Sequence, residues 1–286
     1  MTSIVLALAA ATLFGLALVL TQIGLRYVAP LPGAAISIPS STALFICVAP
    51  FALAGTTVVW AAVPVFAAIG LMFPGAVTLL TFAANRALGP VLTGTLGNLA
   101  PLFAVALAVV VLAEPLRALQ LGGLAAVVAG VMMLTARRAG DGRRWHSWYL
   151  LLPLAAAALR GITQATVKLG LEIWPSPFAA ALVGYVVSTL VVLTAARSVT
   201  GRFVAETPAR GLLWFAAVGW CNGLAALAMY AALANGSVAL VSPLVATYPL
   251  VTVVGSMLLV GKIEGGPRLA IGVALTVAGV ALLIVG

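Results

Sequence analysis

Apolar residues run along this chain in blocks of about twenty, the length an α-helix needs to cross the hydrocarbon layer of a bilayer. Turn formers and basic residues separate the blocks. The pattern predicts ten helical spans, at residues 3–25, 34–54, 62–84, 89–113, 118–136, 148–170, 178–196, 210–232, 237–260 and 268–285. Blocks this long do not fit the roughly ten-residue alternating strands of a membrane barrel. Composition agrees: 64% of the 286 residues are hydrophobic and 7% are charged, more apolar surface than one soluble core hides. The chain reads as an all-α integral membrane protein. Its first block has no basic flank and is followed by further spans, so it reads as a membrane helix and not a cleaved leader.

The longest basic connector, "ARRAGDGRRWHSW" at 136–148, falls between spans five and six and divides the chain into near-equal halves, 1–136 and 148–286, joined by 137–147. Internal similarity supports the division. Gly15, Gln22 and Gly24 precede Gly161, Lys168 and Gly170 by 146 positions, and Pro101 precedes Pro249 by 148. Gly123 and Gly130 precede Gly272 and Gly279 by 149. Five is an odd number of crossings, so the second copy enters the membrane from the opposite face. The expectation is two inverted five-helix repeats around a central cavity, with the binding site near the midplane where they meet.

The net charge of +9 lies mostly between spans, where membrane topology uses it, and nucleic-acid binding is excluded on that ground. Eleven of the fourteen Lys and Arg residues fall in odd-numbered connectors, whereas even-numbered ones hold only Arg117 and Lys168. In a bacterial inner membrane the positive-inside rule then puts the odd connectors in the cytoplasm and both termini outside.

Spans four and nine carry helix breakers at their centres. "TGTLGNLAPLF" at 93–103 includes Gly97 and Pro101, and "LVSPLVATYPLV" at 240–251 includes Pro243 and Pro249. Pro101 removes a donor and frees the Gly97 carbonyl, which lipid cannot satisfy, so these segments are expected to face a cavity. Breaks at matching places in both halves are the sequence pointer to a transporter site, although prolines and glycines also bend helices for close packing. Polar stripes mark the expected lining. In span three Pro74, Thr78, Thr81 and Asn85 share a face. Span four offers Thr95 and Asn98, span six Thr163 and Gln164, span seven Tyr185 and Ser188, span eight Asn222 and Tyr230, and span nine Ser242 and Tyr248. A lone Ser or Thr often bonds only its own helix backbone.

Arg160 is the sharpest single residue. It lies 12 residues past Trp148, roughly 18 Å into the membrane. An ionisable group at that depth marks a functional site by default, unless the segment is shifted and the side chain snorkels. All five acidic residues, Glu114, Asp141, Glu172, Glu206 and Glu264, fall at span ends or connectors, so a substrate carboxylate or phosphate is the candidate partner. The missing central acid also argues against tight proton coupling. Lys168, near the end of span six, is expected at the interface. Cys47 and Cys221 sit singly inside apolar blocks, and the sole histidine, His146, is in the basic connector. There is no Gly-x-Ser-x-Gly and no His-Glu-x-x-His, so neither an intramembrane enzyme nor a metal or other cofactor is expected.

Two inverted five-helix repeats, Gly15 and Gly161 in spans one and six, "LAEPL" at 112–116 and the glycine-rich spans five and ten together resemble the drug/metabolite transporter superfamily, specifically its EamA-type members. The resemblance covers essentially the whole chain. It implies alternating access around a central cavity and export of small metabolites, amino acids above all. Related branches carry nucleotide sugars and sugar phosphates. The four-helix small multidrug resistance proteins use a glutamate in their first helix, where this chain has Phe14 and, in the second copy, Arg160. A cationic-drug antiporter is therefore disfavoured. "VGKIEG" at 260–265 departs slightly from the family pattern, and members are often drawn with cytoplasmic termini, opposite to the charge count. The expected partners are a small-molecule substrate and membrane lipid; the oligomeric state does not follow from the sequence, which is compatible with a monomer. Alternatives are a carrier of phosphorylated or nucleotide-linked sugars, and a non-transporting bundle whose Gly219-x-x-x-Gly223 and similar pairs only join helices.

Overall fold

The computed structural model describes residues 1–88, 90–135, 147–202, 207–260 and 267–285, and every regular element among them is helical. Most of the basic connector, with Lys262 and Glu264, lies outside the described residues. The first repeat comprises α1 (Thr2–Gly24), α2 (Pro30–Ala52), α3 (Val63–Gly70), α4 (Val77–Leu88), α5 (Pro90–Gly97), α6 (Ala100–Val111) and α7 (Ala118–Thr135). The second comprises α8 (Leu151–Ile173), α9 (Pro177–Thr200), α10 (Ala209–Asn235), α11 (Val238–Val245), α12 (Tyr248–Val260) and α13 (Pro267–Val285). Among the described residues, seven helical stretches are long and apolar enough to cross a membrane, and three shorter apolar helices, from α6, α7 and α13, complete the ten.

The repeats exchange partners. α1 packs on α10 and α12 of the second repeat, and α8 packs on α4 and α6 of the first. Lipid tails are as apolar as leucine, so close approach of backbones must supply the packing energy. Glycines permit it. A Cβ on Gly15 would meet the Tyr248 carbonyl oxygen at 2.7 Å and Val251 Cβ at 2.6 Å, and one on Gly161 would meet the Ala104 nitrogen and Phe103 Cβ at 2.6 Å. These equivalent residues seat each repeat's first helix on the second half of the other repeat's broken helix. In α7 and α13 the contact repeats: a Cβ on Gly123 would lie 2.8 Å from the Gly279 carbonyl, and one on Gly279 2.7 Å from that of Gly123.

Spans four and nine are each interrupted at the centre, at Asn98–Leu99 and at Ala246–Thr247. Pro101 and Pro249 occupy the second position of α6 and α12, where a missing N–H costs no helical bond. Pro243 behaves differently from the expectation. It lies inside α11, which runs on to Val245, so it is not the break. Span three departs too. Instead of one face carrying Pro74 and the threonines, the chain leaves the helix at Phe73 (φ −139°, ψ 131°) between α3 and α4. The residue before a proline is pushed towards extended backbone, and Pro74 cannot donate to the Gly70 carbonyl. Ser188 Oγ on α9 donates to that carbonyl instead, at 2.7 Å.

Two charged side chains close the side that carries the even-numbered connectors. The Glu114 carboxylate accepts from the Val238 and Ala239 backbone nitrogens at 2.9 and 3.0 Å, capping α11 with negative charge at its positive end. Lys168 Nζ, near the end of α8, donates to the Leu233 and Gly236 carbonyls at 2.9 and 2.8 Å, at the end of α10. Below them a core of Ala7, Phe66, Val167, Trp174, Leu233 and Val241 is tightly packed, with the Phe66 and Trp174 rings stacked at 6.1 Å.

Candidate functional site

A cavity of about 390 Å³ opens from the midplane towards the opposite side, that of the odd-numbered connectors. Its walls come from both repeats: the second halves of span three and α1, the first half of α2, the midpoint of α8, most of α10, and both broken junctions. The lining reaches Leu25 and Pro30 at the mouth, and Leu25 is 43% exposed. A packed core lies beyond the junctions, so this cavity opens towards one side.

Eleven expected polar positions line this cavity: Thr78, Thr81, Asn85, Asn98, Arg160, Thr163, Gln164, Tyr185, Asn222, Ser242 and Tyr248. Gly97 and Pro101 line it as well. They are not chemically equivalent. Thr81 and Thr163 donate to the Val77 and Leu159 carbonyls of their own helices, each at 2.7 Å, leaving only acceptor capacity. Tyr248 Oη donates to Asn98 Oδ1 at 3.0 Å, tying the two junctions together. Asn85 and Asn222 make no side-chain hydrogen bond among the described residues.

Other expected positions lie elsewhere. Ser188 is fully buried on the Gly70 carbonyl, where its hydroxyl supports the span-three kink and does not face the cavity. Tyr230 is 1% exposed inside the sealed core and is absent from the lining. The Thr95 side chain lies outside the described residues. The sequence pattern does not single out the apolar lining, because aromatic positions at helical spacing look like core or lipid-facing residues until the fold places them. Phe14, Phe73, Phe82, Phe215 and Met229 supply it. Phe14 holds the position equivalent to Arg160, so the two-fold relation of the backbone is broken in chemistry.

Arg160 sits at the midpoint of the membrane-length stretch Trp148–Ile173. Its Nη1 lies 3.6 Å from where a Cβ on Gly97 would stand, beside the first junction. Among the described residues it forms no ion pair and no hydrogen bond, and Glu114 and Glu172 lie at the sealed end. Two further lining atoms, Gln164 Oε1 and Ser242 Oγ, are buried without a hydrogen-bond partner. No group of three or more His, Cys, Asp or Glu residues suited to a metal occurs among the described residues. The arrangement is one cation and several polar atoms in an otherwise apolar chamber, which suits binding of a small molecule.

The model of the EamA-like transporter family matches residues 1–136 and 146–285, one match per repeat. The chain belongs to the EamA-like transporter family. A crystal structure of a protein with 21% sequence identity superposes with a TM-score of 0.80, covering 99% of this chain and 96% of that one, a likeness that shows the fold alone. No curated protein sequence matches the chain. As an EamA-like protein it is a multi-pass membrane transporter of the drug/metabolite kind, in a family of transporters and not of enzymes.

Proposed function

We propose that the protein exports small carboxylate metabolites, amino acids among them, by alternating access, with Arg160 binding the carboxylate. The observation that carries this reading is the unneutralised guanidinium at mid-membrane beside a broken helix. A buried cation of this kind costs several kcal/mol unless paired, and a carboxylate answers it with two charge-assisted hydrogen bonds. Asn98, Asn222, Asn85 and Tyr248 offer polar contacts around it, and the aromatic lining accepts varied side chains. A phosphorylated ligand is less well served, since Arg160 is the single Lys or Arg of the lining. With the odd-numbered connectors in the cytoplasm of a bacterial inner membrane, and both termini outside, the open cavity is the state that loads an exported substrate.

The test is flux in proteoliposomes across a panel of amino acids and simple carboxylates, with Arg160→Ala alongside. Saturable flux of at least one panel member, reduced at least tenfold by the variant, is the expected result. Absence of flux for every compound, or full flux in Arg160→Ala, refutes the reading.

A further inference from the structure

We propose that two clasps of unequal strength set which way the protein rests: Lys168 and Glu114 hold the even-numbered side shut, and Gln22, the counterpart of Lys168, closes the odd-numbered side more weakly in the opposite-facing form. This rests on the alternating-access reading and uses nothing about the substrate. On the even-numbered side Lys168 Nζ spans the turn between α10 and α11 by donating to the Leu233 and Gly236 carbonyls at 2.9 and 2.8 Å. Its full charge and three donors stand at the negative end of α10. Glu114 holds the positive end of α11 through the Val238 and Ala239 amides. Both side chains ride on elements that carry the cavity. Lys168 is one turn past the lining residue Gln164 on α8, and Glu114 follows α6, which starts at the first junction.

The repeat relation carries the same parts to the odd-numbered side. Gln22 stands 146 positions before Lys168, in register with Gly15 and Gly161 and with Gly24 and Gly170. At the offset of 148 that relates Pro101 to Pro249, Leu233 and Gly236 correspond to Asn85 and Leu88 at the end of α4. Helix ends agree with that register, since α5 starts at Pro90 where α11 starts at Val238. In this structure the second clasp is open. Gln22 is exposed and makes no side-chain hydrogen bond among the described residues. The cavity mouth separates it from α4, with Thr21 and Leu25 on one wall and Thr81 and Asn85 on another. Two differences make closure weaker there. A neutral amide replaces the ammonium, which loses charge assistance and the attraction to a helix C-terminus. Pro90 replaces Val238, so the amide that Glu114 holds at 2.9 Å has no counterpart in the first repeat. The stronger clasp is the closed one, and the protein rests open on the odd-numbered side, where the cavity opens.

The test reads facing without a ligand, as thiol modification rates in the purified full chain in nanodiscs, with Cys47 and Cys221 replaced by Ser and one reporter per protein. Thr81→Cys reports the odd-numbered half of the cavity, and Val241→Cys, at a position 0% exposed in the packed core, reports the other side. Gln22→Lys supplies the missing charge and leaves every contact of the present form intact. It is expected to speed modification at Val241→Cys roughly tenfold, the ratio between hydrogen bonds from charged and neutral donors. Position 22 lies at the opposite end of the membrane, so local loosening of the core cannot produce that rise. Lys168→Gln is expected to speed Val241→Cys roughly ten- to hundredfold, and the double exchange to slow Thr81→Cys at least threefold as well. A Val241→Cys rate within threefold of a measurable parent rate in both Gln22→Lys and the double exchange overturns the inference and leaves alternating access standing. A rise confined to proteins carrying Lys168→Gln, or an unslowed Thr81→Cys in the double exchange, reduces the clasp to local support and also overturns it. A Val241→Cys reporter that stays unreactive in every protein until it unfolds overturns the alternating-access reading too.

Discussion

Removing the Glu114 carboxylate tests how the sealed side is held. It accepts two backbone N–H groups of the first turn of α11, at 2.9 and 3.0 Å, and no other described side chain reaches them. Hydrogen bonds to a charged group contribute about 1.5–3 kcal/mol each, and a negative charge at a helix N-terminus adds about 0.3–1 kcal/mol. Glu114 is half-buried, so water replaces part of this in a truncated variant, and about 3 kcal/mol is the expected loss for Glu114→Ala. That corresponds to roughly a hundredfold in a local opening equilibrium. Hydrogen exchange read by mass spectrometry over peptides of α11 and α12 measures it directly. Amides of the first turn of α11 are expected to exchange roughly a hundredfold faster, with α12 unchanged, and Glu114→Gln, which keeps one acceptor oxygen, is expected to fall between. Lys168→Met frees the other end of the same short connector, so the double variant is expected to open more than the two single effects combined. Exchange over α11 within threefold of the parent in Glu114→Ala would refute the clasp.

Gly161→Val places a side chain where a Cβ alone already comes within 2.6 Å of the Ala104 nitrogen, so α6 must move. Overpacking of this kind costs about 1–3 kcal/mol. A lowered thermal midpoint together with impaired flux is expected, whereas Gly94→Ala, with open space around it, is expected to leave the midpoint unchanged. Ser188→Ala strands the buried Gly70 carbonyl beside the span-three kink, and a loss of about 1–3 kcal/mol in stability is expected from denaturant titration in detergent micelles.

Ten spans and their inverted halves were legible because bilayer thickness and odd crossing number act directly on the order of residues. The junctions were legible for a similar reason: Pro101 and Pro249 announce a missing donor wherever they stand. What the order of residues does not carry is which distant group answers a local deficit. The spacing places Pro74 in a polar stripe, whereas the Gly70 carbonyl it leaves free is answered by Ser188, 118 positions from that glycine. Ser188 belongs to a polar stripe of span seven in the sequence but answers that carbonyl in the fold, and a tyrosine at 230 in an apolar span suggests a polar purpose that its enclosed position does not serve. Glu114 and Lys168 stand out in the sequence only by depth, since Glu114 is answered by first-turn amides of α11 in the other half and Lys168 by carbonyls at the end of α10. Pro243 looks like a breaker in the sequence, yet α11 accommodates it.

The kink at Phe73–Pro74 has no counterpart in α10, whose 27 residues run unbroken through Cys221 and Asn222, the positions 148 further along. An opposite-facing form built by giving each half the other's shape would therefore have to straighten a segment fixed by a proline and crease one that contains none. The two halves are therefore not mechanically equivalent, and any alternation that carries the proposed export has to proceed without an exchange of shape between span three and α10.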